Sequence, residues 1–88
     1  MNDKTTYMEF PCNFPIKIIG IKTDTFVEDI SALVRKYFPD TLNEAITFKD
    51  SDAGNYTSIT ATVLAHDQLT LDALYGELTK YPGIKMVL

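Results

Sequence analysis

The apolar residues of this chain recur at a spacing that switches between three to four positions and two, and that switch limits its possible folds more than any other property. Phe26, Val27, Ile30, Leu33, Val34, Tyr37 and Phe38 recur at three and four positions. They form the stripe of a helix, which Thr25 and Glu28 open with the spacing of a capping box and Pro39 closes. From Tyr56 to Ala65 the period is two, with Ile59, Ala61 and Val63 on one side and Ser58, Thr60, Thr62 and Leu64 on the other, as in a strand with one wet face. Leu71, Leu74, Tyr75, Leu78 and Tyr81 return to the helical period between a capping Asp67 and the stop at Pro82 and Gly83. Each element has one face to hide, so the chain must pack helices against a sheet.

The intervening segments complete the plan. Pro11 and Pro15 lack backbone donors, which predicts an extended lead-in and a first strand over residues 15–21. Residues 42–49 alternate, with Ile46 and Phe48 opposite Thr47 and Lys49. The turn-forming residues 50–55 come next, with Gly54 at a position that favours positive φ, and predict a hairpin. Residues 84–88 read as a terminal strand. Residues 1–8 read as a flexible tail and residues 9–88 as a single domain. The order strand, helix, strand, strand, helix, strand predicts an α+β, ferredoxin-like βαββαβ two-layer sandwich. Its four-stranded antiparallel sheet has the first and third strands at the centre and two helices on one face.

Composition narrows the function. Eight Lys and Arg against twelve Asp and Glu give a net charge of −4 over 88 residues, and Arg35 is the only arginine. That balance argues against nucleic acid as a partner, which demands surplus cations. No apolar run approaches the ~20 residues of a membrane span. The opening MNDKTTYMEF lacks a signal peptide's apolar stretch, and the lone Cys12 forms no internal disulfide, so the chain reads as cytoplasmic. A domain of this size removes only about 64% of its unfolded surface from water. Its core is thin, and the expected state is a monomer or weak homodimer.

Several chemistries lack their residues. One cysteine and one histidine, His66, supply no metal or iron–sulfur ligand set. Base-stacking aromatics are missing from the strand positions that would bind RNA, which hold Lys17, Ile19, Thr60 and Thr62. A phosphate-holding arginine is missing from the loop after the first strand, as an acylphosphatase-like hydrolase would require. His66 reads as a loop or cap residue, Cys12 as a packed thiol, and Asp50, Asp52, Asp72 and Glu77 as solvated charges. No catalytic residue, metal or cofactor is expected.

Two places can bind. In the loop of Gly20, Lys22, Thr23 and Asp24, the glycine permits close approach and the following helix start offers free N–H groups to an anion. The same pattern also reads as a tight strand-to-helix turn. If the loop holds a ligand, alanine at Gly20 is expected to spare the fold. The second place is the uncovered sheet face. There Lys17, Lys49 and Lys85 are expected with apolar Ile19, Leu64 and Val87 and no carboxylate, a combination suited to a protein partner.

The stretch from Glu9 to Gly20, EFPCNFPIKIIG, with Gly54-Asn55-Tyr56-Thr57-Ser58, Leu74-Tyr75-Gly76-Glu77-Leu78 and Met86-Val87-Leu88, resembles the YbeD-like family of small bacterial proteins. The resemblance covers nearly the whole chain from Glu9. Gly76 departs from it, where a stronger helix former is usual. The resemblance implies a fold similar to ACT regulatory domains, no established catalytic residue, and an association with lipoate metabolism. The resulting expectation is a non-enzymatic regulatory or adaptor domain that binds either a protein partner or a small metabolite. A small acylphosphatase-like hydrolase and an RNA-binding module are the alternatives.

Overall fold

A computed structural model describes residues 11–88; the expected tail over residues 1–8 lies outside the described residues. The elements are β1 (Cys12–Ile21), α1 (Phe26–Tyr37), β2 (Ile46–Asp50), β3 (Tyr56–Ala65), α2 (Gln68–Lys80) and β4 (Ile84–Val87). The strands lie in the order β2-β3-β1-β4, and every neighbouring pair is antiparallel. This is the expected βαββαβ sandwich, with the two ten-residue strands at its centre.

Period-two burial fixes which face is covered. Ile16, Ile18, Ile59 and Val63 point from β1 and β3 to meet Phe26, Ile30 and Val34 of α1 and Leu71, Leu74 and Leu78 of α2, and each of these is at most 1% exposed. Burying a side chain of this size contributes roughly 1.5–3 kcal/mol, so this layer holds the sandwich together. Asp67 caps α2 as expected, its carboxylate accepting from the Thr70 N–H at 2.7 Å. Gly54 takes φ +76° in the β2–β3 turn, as its position predicts.

Three details differ from the sequence expectation. First, β1 begins at Cys12, which pairs with Ala65, and so absorbs the expected lead-in. Lys17 exchanges backbone hydrogen bonds with Leu88, so the odd-numbered residues of β1 turn their N–H groups toward β4. Pro15 therefore falls beyond the end of β4, where no donor is needed. Second, the capping box does not close: α1 starts at Phe26 without a side-chain cap, and the Thr25 hydroxyl donates instead to the Asp29 carboxylate at 3.1 Å. Third, β2 begins only at Ile46, because Asn43–Ala45 form a 3-10 turn. Arg35 causes this. Its guanidinium donates to the Thr41 carbonyl at 3.3 Å and to the Asn43 side chain, while the Thr41 hydroxyl donates to the Phe38 carbonyl at 2.7 Å. These bonds hold residues 38–45 in an arch instead of letting them extend the strand.

Candidate functional site

On the open face, β-pairing sets Lys17 beside Thr60 and Thr60 beside Thr47, and sets Ile19 beside Ser58 and Ser58 beside Lys49. Lys17, Ile19, Lys49, Tyr56 and Ser58 line a shallow depression of about 480 Å³. Its rim departs from the expectation, because the hairpin residues Asp50, Ser51 and Asp52 border it and bring carboxylates beside the lysines. Asp50 is exposed, as expected of a solvated charge, but it is also paired. It accepts from the Lys22 ammonium at 2.8 Å and from the Thr57 hydroxyl at 3.0 Å, and the Lys22 bond, followed by that of Thr57, holds its carboxyl below the usual range.

The register corrects two of the expected positions. Val87 pairs with Ile18 and packs against the core, so it faces the helices. The open-face place beside Ile19 belongs to Met86, which is 48% exposed. Lys85 is exposed but falls in the register shift between Met86 and Ile84, outside the cross-strand pairs. A bulge adds one residue to a strand and changes the face assignment of the residues beyond it, and strict alternation cannot register it. Leu64 is on the open face, 48% exposed, but at the far end of β3 from the depression.

The loop of Gly20, Lys22, Thr23 and Asp24 is closed by the protein itself. A Cβ on Gly20 would lie 2.6 Å from two carbons of the Phe26 ring and 3.2 Å from the Gly83 carbonyl oxygen. The close approach that requires glycine is therefore made by the core, and alanine there is expected to cost stability whether or not a ligand binds. The Lys22 N–H donates to the Asn55 carbonyl at 3.0 Å and its ammonium to Asp50, so both groups tie the loop to the hairpin. The Thr23 carbonyl accepts from the Phe26 N–H, and Asp24 is exposed. Behind the loop, Tyr81 donates to Asp29 at 2.6 Å and stacks obliquely on Phe26, with ring centroids 5.9 Å apart.

Glu77, expected as a solvated charge, keeps 35% of its side chain exposed and is paired as well. Tyr37 donates to it at 2.6 Å and Lys36 at 3.1 Å, joining the two helices. Those bonds, that of Tyr37 first, lower its carboxyl from the usual range. No group of three or more His, Cys, Asp or Glu suited to a metal occurs among the described residues. Cys12 packs against the core.

Sequence reading missed one feature. A cavity of about 410 Å³ lies between the arch of residues 38–45 and the end of β3, lined by Asn13, Phe38, Leu42, Thr62, Leu64 and His66 among others. The signal available was the mismatch between a long β3 pattern and the polar Asn43-Glu44 that interrupts the alternation ahead of Ile46.

The chain matches, over residues 5–88, the family model described as a protein of unknown function, DUF493. It is 39% identical over 87 residues to a UPF0250 protein of Chromobacterium violaceum, covering 99% of this chain and 98% of the relative. It is 41% identical over 80 residues to a UPF0250 protein of Paraburkholderia phytofirmans, covering 91% and 90%. Among solved structures it is similar to protein HP0495 of Helicobacter pylori, with TM-score 0.71 and 12% identity over 99% of this chain and 91% of that one. It is also similar to the ACT domain from the GTP pyrophosphokinase of Chlorobium tepidum, with TM-score 0.68 and 22% identity over 88% and 97%. No helix among the described residues is long and apolar enough to cross a membrane.

Proposed function

The chain belongs to the DUF493 family, as its resemblance to the YbeD-like proteins implies, and on that footing we propose that it is a non-enzymatic regulatory or adaptor domain whose open sheet face docks an acidic protein surface. The observation that carries this reading is the depression on that face. There Lys17 and Lys49 stand over Ile19, Ser58 and Tyr56 with no helix above them. Apolar area supplies affinity in such a patch, while the lysines select an acidic partner and speed encounter. Asp50 and Asp52 at the rim set the direction of approach, since an acidic partner is attracted at the lysines and repelled at the hairpin tip. The fold supports the reading, because it is one that a GTP pyrophosphokinase carries as its ACT domain within a larger enzyme.

A photo-crosslinking residue at Ser58, followed by mass spectrometry of the captured proteins, tests this reading with Lys17→Glu and Lys49→Glu combined. The double variant is expected to fold normally and lose the partners of the wild type, and capture is expected to weaken as salt rises. Lys85→Glu, outside the depression, is expected to keep them. A folded double variant that retains every partner refutes the reading.

A further inference from the structure

The cavity beside β3 differs in charge from the rest of the open face. Asn13 and Leu64, paired across β1 and β3, line it from the sheet with Thr62, and residues 37–42 line it from the end of α1 and the arch. None of its lining residues is a lysine or an arginine, and Asp40 is the one carboxylate among them. The two cations closest to it in sequence are engaged elsewhere. Arg35 donates to the Thr41 carbonyl at 3.3 Å and to Asn43, and Lys36 donates to Glu77 at 3.1 Å. Asp40 is exposed and enters no ion pair among the described residues.

The end of α1 reinforces this polarity. The Phe38 N–H bonds the Val34 carbonyl, Pro39 has no N–H to offer Arg35, and the Thr41 N–H turns back to the Phe38 carbonyl at 3.1 Å instead of reaching Tyr37. The Arg35 and Tyr37 carbonyls are therefore without a backbone partner among the described residues, and the last turn of a helix carries the negative end of its dipole. Tyr37 is itself a lining residue. Much of the remaining lining is apolar, with Leu42 61% and Leu64 48% exposed beside Phe38, Pro39 and Ala45. The arch is fixed by Arg35, Thr41 and the hydrogen bond from the Ala45 N–H to the Leu42 carbonyl at 3.0 Å, so the cavity is formed without a ligand. Its volume of about 410 Å³ falls within the roughly 300–1,000 Å³ of ligand sites.

We propose that this cavity binds a small organic cation, a primary amine on a compact aliphatic body. An ammonium group has three donors and no acceptor, which suits a lining that offers the Asp40 carboxylate and the carbonyl end of α1 and no basic side chain. The side-chain oxygens of Asn13 and Thr62 are further acceptors in the same lining. An anionic ligand would meet Asp40 and the negative end of the helix, both of which repel it. The aliphatic body covers Leu42 and Leu64 and so takes exposed apolar area out of water. Sign of charge separates this site from the depression over Lys17 and Lys49, which attracts carboxylates.

The probe is isopentylamine hydrochloride at neutral pH, followed by amide chemical shifts of the full chain, with isopentyl alcohol as its uncharged counterpart and isocaproate as an anion of similar shape. The amine is expected to shift residues 37–45 and 62–66 with a millimolar dissociation constant, the alcohol to bind about fivefold more weakly, and isocaproate to leave these residues unmoved. Asp40→Asn, at an exposed position, is expected to keep the fold and to remove the advantage of the amine over the alcohol. Leu42→Ser, also exposed, is expected to weaken amine and alcohol alike. The open-face reading stands or falls separately, since charge reversal at Lys17 and Lys49 is expected to leave this binding in place. Several results overturn the proposal: no binding of the amine, alcohol or isocaproate binding as tightly as the amine, an Asp40→Asn variant that keeps the full preference for the amine, or shifts spread over the acidic surface instead of the cavity. So does a concentration dependence of residues 37–45 and 62–66 without amine, which assigns the cavity to a second copy of the chain.

Discussion

Replacing Gly20 by alanine tests the packing on which the β1–α1 loop depends. The added methyl would lie 2.6 Å from the Cε1 and Cζ atoms of Phe26 and 3.2 Å from the Gly83 carbonyl oxygen, against about 3.5–4.0 Å for carbon atoms in ordinary contact. The ring must retreat by about 1 Å. It is 1% exposed and is flanked by Tyr81, so its retreat displaces the end of α2 or forces an unfavourable rotamer. Overpacking of this kind costs roughly 1–3 kcal/mol, from which the stiffening of the unfolded chain by alanine returns about 0.4–1. A net loss of about 1–2 kcal/mol is expected, equivalent to roughly 4–16 °C in Tm for a domain of this size. Urea unfolding of Gly20→Ala, Phe26→Leu and the double variant measures it. The smaller side chain at position 26 is expected to absorb the methyl, so the double variant should be more stable than the sum of the single losses by about 1 kcal/mol. An unchanged urea midpoint for Gly20→Ala, or strictly additive losses, refutes the assignment of this glycine to the Phe26 ring.

Gly54→Val is expected to destabilise by roughly 1–3 kcal/mol and Gly54→Asn by much less, because φ is +76° while nothing lies within 4 Å of the added carbon; equal losses in thermal melts would contradict this. Gly76→Ala is expected to stabilise by about 0.5–1 kcal/mol, since the residue sits inside α2 facing open space, and a lower Tm would count against that placement. Glu77 has its carboxyl lowered in the folded state, by Tyr37 first and then Lys36, so its contribution is present above the ordinary value of about 4.3 and is lost as pH falls through the lower folded value. Glu77→Gln is therefore expected to flatten the acid limb of urea midpoints measured from pH 6 to pH 2, and an unaltered limb would refute the pairing. The Tyr81 phenol is raised, first by its hydrogen bond to Asp29 and then by burial, so its contribution is complete below about 10 and lost as pH rises through the folded value; Tyr81→Phe is expected to remove a late-titrating phenol from the ultraviolet titration.

The elements and their order were legible in the sequence, because period, caps and stops are local. The stripe from Phe26 to Phe38, the alternation of β3, the Asp67 cap and the positive φ at Gly54 all depend on residues within a few positions of one another. Two apolar stripes and four strands then admit few right-handed arrangements, so the sheet order is legible as well. Contacts between distant residues set the rest. Gly20 reads as a loop glycine until Phe26 and Gly83 meet it, and Glu77 reads as a wet-face charge until Tyr37 arrives from 40 residues away. Val87 exchanged faces because a bulge in β4 broke the alternation. The strand expected from residue 42 was shortened by the Arg35 side chain, whose bonds to Thr41 and Asn43 bend the chain into an arch. That arch encloses the cavity beside β3, and local periodicity cannot report it, since period two states which way side chains point but not where the chain runs between strands.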